Sequence, residues 1–430
     1  MKIYIPSNFI FENFFPDLQI QKDKYCYILH KIYEERIFGK ENKRSQFVNL
    51  KASILRFIIG RWHYKEVLNN LLNSNIIQTD NHYIVGEKSK AYKLIPPFSE
   101  SKHKCIELRD ESMLKRIAKH KEIFLSKAPQ GIEYKMLNKY LNDIEINSNN
   151  AIRYVKKYYS NDIEKFNSYL LSIKFIQTKN FHWTVDDIAG RVHTNITTLF
   201  RPLRRYLRYK GKPLINIDIC NSQPFLFNIL IKNYFNLKMP RNYKYDNFSN
   251  KYKDTYGRSK NNYGKSSLES NKSYIYSYDG HLNKDVLLYE WLTSQGKFYE
   301  YLMEKMNIPL SERQSFKIKV FGRIFFCRNN KNYVREEMKI FKTLFPTVSK
   351  VIEFYKEEDY TQLPISLQKA ESEIMINDIC KRISLERPDI FITTIHDSIL
   401  TTEENERFIS NIILDEFEEK YNLKPKLKVE

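Results

Sequence analysis

The sequence is poor in the residues that staple or coordinate small folds. Its 430 residues hold five cysteines, Cys26, Cys105, Cys220, Cys327 and Cys380, scattered singly with no C-x-x-C pair. An odd, dispersed set excludes a disulfide framework and a zinc ribbon and fits a reducing cytosol. No run of about 18 apolar residues occurs, and the N-terminus, Met1-Lys-Ile-Tyr-Ile-Pro6, lacks a basic segment followed by an apolar one, so neither a membrane span nor a secretory signal is expected. Negative charge is also short: 51 acidic residues face 71 basic ones, giving a net charge of +20 and a pI near 9.4. Such an excess points to a polyanionic partner, nucleic acid above all. Abundant Lys, Asn, Ile and Tyr fit an A+T-rich coding sequence, which accounts for part of that charge.

Read in order, residues 50–94 suggest helix, turn, helix and a two-stranded wing. Val67, Leu68, Leu71, Leu72 and Ile76 recur at helical spacing, and Tyr83 to Leu94 alternate around a turn at Gly86. This resembles a winged-helix module, which would bind duplex DNA through Lys88, Lys90 and Lys93, or else serve as a packing or protein-docking unit. Pro96-Pro97 closes it. The expected divisions are a winged-helix-like domain over 1–98, a helical, heavily charged region over 99–180, and a third part over 181–430. Within the last, residues 238–282 are rich in Asn, Lys, Tyr and Ser and too poor in apolar residues to build a core, so they read as a low-complexity insertion.

Chemistry-bearing residues concentrate in the third part. A basic run, Arg201, Arg204, Arg205, Arg208, Lys210 and Lys212, interleaved with Tyr206 and Tyr209, suits phosphate contact and base stacking, or is a solvated face. Next comes an apolar strand, Leu214-Ile-Asn-Ile-Asp218-Ile219, broken by Asn221-Ser-Gln223-Pro224. A carboxylate in such a strand is costly unless paired or bound to a cation. Asp397 stands at the bend of a second β-rich stretch, Phe391 to Thr401, preceded by His396. Between the two lies Arg313-Gln-Ser-Phe-Lys317-Ile-Lys-Val-Phe321-Gly322-Arg-Ile-Phe325, in which Arg313, Lys317 and Phe321 share one helical face at steps of four. Two cations and a ring in a row suit a nucleoside triphosphate, or a solvated amphipathic helix. Two strand-borne carboxylates with a cation-bearing helix between them make up the parts of a two-metal phosphoryl-transfer site.

In this order the parts resemble the core of family A DNA polymerases and their single-subunit RNA polymerase relatives. Asp218 matches motif A, Arg313, Lys317, Phe321-Gly322 and Phe325 match motif B except at its last position, and His396-Asp397 matches motif C. Gly190-Arg191 is similar to the Gly-Arg ahead of motif A, and Gln368 to the glutamine of the helix before motif C. The resemblance implies an α+β right-hand fold of palm, fingers and thumb, with 99–180 as the thumb-like region and 181–430 as palm and fingers. It implies Asp218 and Asp397 as ligands of two Mg²⁺ ions, with Mn²⁺ as an alternative. Arg313 and Lys317 would hold phosphates, with Lys317 placed to protonate the leaving group, and Phe321, Phe325 and Gln223 would line the nucleotide site. Arg191, Gln368 and His396 would contact primer and template. Departures are Ser398 in place of Glu after Asp397, Gln223 in place of the Glu that excludes a ribose 2′-hydroxyl, and Phe325 in place of Tyr. The expected activity is DNA-templated DNA synthesis without a proofreading exonuclease, in the cytoplasm and encoded by a bacterium, phage or plasmid. RNA synthesis, primase-like or template-independent addition, and a non-catalytic DNA-binding replication factor are the alternatives.

Overall fold

The stretch Tyr25 to Tyr33 is largely apolar, and in the computed structural model it lies in a central helix, Lys22–Phe38, that buries Tyr25, Cys26, Ile28, Leu29, His30 and Ile32. The structure describes residues 1–38, 46–84, 88–238, 283–329 and 335–430, a mixture of helices and short strands. They fall into two units. The first comprises Met1–Val185, Val192–Leu214 and Phe391–Ile395, the second Asp186–Arg191, Ile215–Ile390 and His396–Glu430. The expected turn at Gly86 and nearly all of the 238–282 insertion lie outside the described residues.

In the first unit, helices Ala52–Ile59 and His63–Asn73 are separated by Gly60, whose φ of +113° an L side chain rarely adopts. Val67, Leu68 and Leu71 face the core as their spacing predicts. Strand Ala91–Leu94 then pairs antiparallel with Ile77–Thr79 on one side and with Val48–Asn49 on the other. The third strand precedes the helix pair, so local alternation does not reveal it. The region expected to be helical over 99–180 also holds strands: Ile144–Ile146 pairs with Leu207–Tyr209, and His103–Glu107 pairs with Lys2–Pro6, in the register Ile3 with Ile106. A partner a hundred residues away supplies its hydrogen bonds, and no local periodicity encodes that. Helices Glu111–Ser126, Ile132–Lys139, Ser148–Tyr159 and Ile163–Gln177 follow. Leu171 and Phe175 of the last one join Ile3, Ile28 and Val67 in a single apolar core.

In the second unit, the strand Lys212–Ile219 contributes its end from Ile215. There Asp218 is in register with Lys428 of the antiparallel strand Leu427–Val429, and Ser398–Thr402 lies beside it in the same sheet. Helices surround an aromatic core in which Phe227, Tyr289, Phe298, Phe325 and Phe341 meet edge to face. Two stretches wind as π-helix, Phe321–Phe325 and Glu373–Cys380. The first contains Phe321, Gly322 and Phe325, and the second continues the helix that carries Gln368. Among the described residues no helix is long and apolar enough to cross a membrane.

Candidate active site

Asp218 stands one residue before the end of its strand and is half-buried. Its carboxylate acts on Cys220: burial and then the Asp218 charge raise the thiol pKa, while Lys426, Lys428 and Arg313 oppose the rise. Asp397 and His396 form the turn ahead of Ser398–Thr402, and His396 takes a left-handed φ of +55°. That conformation is uncommon for a residue with a side chain and marks the turn as tightly specified.

Helix Arg313–Val320 buries Phe316 and Val320 and leaves Arg313 and Lys317 half-exposed. Both cations lie over the ring of Tyr299, at 5.6 Å and 5.9 Å from its centroid. Glu300, the next residue of helix Phe298–Lys305, accepts from Arg313 Nε at 2.6 Å. Tyr299 is 1% exposed, and its hydroxyl has no hydrogen-bond partner among the described residues. Burial raises its pKa, Arg313 opposes, and the charges of Glu300 and Asp397 add to the rise. Tyr299 thus feels both the cations of the helix and the carboxylate of the turn. It is a residue the sequence reading missed, because no spacing ties it to either.

The step of four does not continue to Phe325. Phe326 N–H bonds to the carbonyl of Phe321, five residues back, so the winding widens and Phe325 turns into the aromatic core, 0% exposed. Its expected place beside a nucleotide is therefore corrected: its ring is enclosed by Phe227, Phe298 and Phe341. Phe321 stays half-buried and stacks on Phe326.

Arg191 is presented by a loop that Asp186 organises. The Asp186 carboxylate accepts from the backbone N–H groups of Ile188, Ala189 and Arg191, with Gly190 between them at φ +72°. Arg191 Nη2 donates to Glu371 Oε2 at 2.7 Å, and Gln223 Nε2 donates to the same oxygen at 2.8 Å. Glu371 is 2% exposed, and burial moves its pKa up to about 7, with Arg191 opposing and Asp397 adding to the rise. Gln368 is half-buried one helical turn before Glu371, on the same helix, Gln362–Ser372. Sequence reasoning picked Gln368 and overlooked Glu371. The available signal was a carboxylate in the buried stripe Leu363, Leu367, Glu371 and Ile374.

The other basic candidates belong to the first unit. Arg204 donates to the carbonyls of Leu199 and Thr197, and Arg208 to those of Arg205 and Leu207, so both guanidinium groups brace local backbone; Arg205 is exposed. Lys88 pairs with Asp80 at 2.6 Å, Lys90 donates to Asn81 at 2.9 Å, and Lys93 lies over the ring of Phe47.

Among the described residues no group of three or more His, Cys, Asp or Glu side chains forms a metal cage. Asp218 and Asp397 each offer the hard carboxylate oxygens that Mg²⁺ takes, an ion that commonly uses one or two carboxylates together with substrate phosphates. No protein-family model and no curated protein matches the chain. Among solved structures it is similar to one titled "POL domain of Pol1 from M. smegmatis complex with DNA primer-template and dNTP". The TM-score is 0.38 at 9% identity, covering 74% of this chain and 72% of that one.

Proposed function

We propose that the chain is a template-directed nucleotidyltransferase of the family A type, extending a primer with deoxyribonucleotides. The observation that carries this reading is Tyr299, whose buried ring lies under Arg313 and Lys317 and whose hydroxyl lies in the field of Asp397. One residue thereby joins a cation pair suited to a triphosphate to a carboxylate suited to a divalent cation. Asp218 and Asp397 would hold Mg²⁺, or Mn²⁺ in its place, and the ion would supply Lewis acidity for attack by a 3′-hydroxyl and for the charge of the leaving pyrophosphate.

In this reading Arg313 takes phosphate oxygens through its terminal nitrogens while Nε stays on Glu300. Lys317 binds the same phosphates and delivers a proton from Nζ to the leaving group. Gln223 meets the sugar, Phe321 flanks the nucleotide, and Arg191, Gln368 and His396 contact the primer terminus and template. The helix pair and three-stranded sheet of the first unit act as the winged-helix-like duplex-binding element. Lys88, Lys90 and Lys93 supply its phosphate contacts, and Arg205 of the separate basic run adds another, with a correspondingly steep salt dependence.

Primer extension with Mg²⁺ and parallel deoxyribo- and ribonucleotide pools tests the reading. The wild type is expected to incorporate only with template present. Asp218→Asn and Asp397→Asn are each expected to lower the rate by on the order of a thousandfold, the loss of several kcal/mol of charge stabilisation. No incorporation by the wild type, or incorporation by Asp397→Asn at the wild-type rate, overturns it.

A further inference from the structure

Glu371 occupies a position that ordinary helix packing would fill with an apolar residue. Its neighbours along the buried stripe are Leu363, Leu367 and Ile374, all at 1% exposure or less. A carboxylate is expensive to hold there, and the structure shows what holds it. Oε2 alone receives both Arg191 Nη2 and Gln223 Nε2. Oε1 is buried without a hydrogen-bond partner among the described residues, and so is Arg191 Nε. A carboxylate serving only to neutralise an arginine gains most from a bidentate fork, using both oxygens and two nitrogens. Here that geometry is given up so that one oxygen bridges two donors from different segments. One is the loop organised by Asp186. The other is the first turn of helix Ser222–Lys238, which directly follows the strand of Asp218.

We propose that Glu371 is the positioning residue for sugar selection, holding Gln223 against Arg191 so that the Gln223 side chain has one fixed place beside the sugar of the incoming nucleotide. The proposal rests on the nucleotidyl-transfer reading above. Without the bridge, Gln223 is a half-buried amide free to rotate away, and a ribose 2′-hydroxyl meets less opposition. Glu371 touches no substrate atom in this scheme and acts through Gln223 and Arg191.

The test is the ratio of kcat/KM for deoxyribonucleotide to that for ribonucleotide, measured in single-nucleotide extension, with the melting temperature of every variant recorded. Glu371→Gln keeps the volume and removes the charge. The ratio is expected to fall roughly tenfold or more, the worth of one hydrogen bond to a charged group. Gln223→Ala is expected to lower it similarly, and the double variant no further, since both remove the same device. Glu371→Asp retains the charge and shortens the reach by one methylene, and is expected to shift the ratio in the same direction even if Glu371→Gln does not fold. A merely structural Glu371 would lower the melting temperature and both rates together and leave the ratio unchanged, which overturns the proposal, as does additivity in the double variant. A wild type that incorporates neither nucleotide overturns the nucleotidyl-transfer reading itself. A wild type that incorporates and discriminates, with the ratio untouched by Glu371→Gln and Glu371→Asp, overturns this inference alone.

Discussion

The ammonium of Lys356 donates to the carbonyl of Ile324 at 3.0 Å and to that of Cys327 at 3.1 Å, from a side chain only 2% exposed. These carbonyls lie at the end of the π-helical turn that follows Arg313 and Lys317, so a buried cation anchors the turn that continues the helix of the two cations proposed to bind phosphate. Burial, chiefly, lowers the Lys356 pKa. Replacement by Met fills similar space but leaves two carbonyls without their donor. Lys356→Met is expected to cost about 1–3 kcal/mol of stability and to weaken nucleotide binding at Arg313 and Lys317. Chemical denaturation and a nucleotide titration read the two effects, and an unchanged midpoint with unchanged affinity would show the anchor to be dispensable.

Phe325 stands where the polymerases that this sequence resembles in its motifs have tyrosine, which invites the substitution. Its ring is fully buried, with Phe227 at 5.6 Å in a perpendicular contact and Phe341 at 6.2 Å. A hydroxyl added there meets aromatic carbon instead of a polar partner. Phe325→Tyr is therefore expected to lose about 1–3 kcal/mol of stability and to leave the deoxyribo-to-ribo ratio unchanged. A sharpened ratio at undiminished stability would mean that the ring reaches the sugar after all.

What the sequence disclosed follows the same division. Strand-borne Asp218, the turn at Asp397 and the helix from Arg313 were legible because each rests on a local pattern: an apolar run, a β-rich pair around His396-Asp397, and a step of four. Phe325 was misplaced because the step of four assumes α winding, and the change to i→i+5 bonding depends on packing around Phe341 and Lys356. Tyr299 and Glu371 were missed because their meaning lies in partners 14 to about 180 residues away along the chain. Strand His103–Glu107 was read as part of a helical stretch for the same reason, its ladder being supplied by Lys2–Pro6. Glu371 alone left a local trace, a charge at an apolar position.

Acid should weaken the first unit through its histidines. Burial lowers the pKa of His30, His103 and His182 to about 4 each, with Lys174 and Arg36 adding to the fall at His103. At His30 and His182, Glu34 opposes the fall and Lys31 adds to it, joined at His182 by His193 and Lys121. The folded state favours the neutral rings, so their contribution is complete above the ordinary value of 6.5 and is lost as the pH falls through about 4. His30 is 0% exposed and accepts the Tyr4 N–H on Nδ1, so its share alone is roughly 3 kcal/mol. Unfolding free energy is expected to drop steeply between pH 6.5 and 4. His30→Gln, which retains an acceptor but does not titrate, is expected to flatten that slope. A wild-type curve that is level over this range would contradict the burial of these rings.

The hydroxyl of Tyr299 is the polar atom whose removal separates stability from chemistry. It is buried without a hydrogen-bond partner among the described residues, while its ring carries Arg313 and Lys317 on its face. Tyr299→Phe keeps the ring, and with it the attraction between the cations and the π system, worth about 0.5–2 kcal/mol per contact. It removes a group that costs about 1–3 kcal/mol to bury unpaired. The melting temperature is therefore expected to hold or rise, and nucleotide affinity to stay within about twofold of the wild type, since the ring and not the hydroxyl steadies the cations. Tyr299→Leu removes the ring, and affinity should then fall several-fold, while any Mg²⁺ requirement, if the proposed roles of Asp218 and Asp397 hold, should be kept. Loss of affinity in Tyr299→Phe as large as in Tyr299→Leu would transfer the role from the ring to the hydroxyl, and with it the link between Arg313 and Asp397.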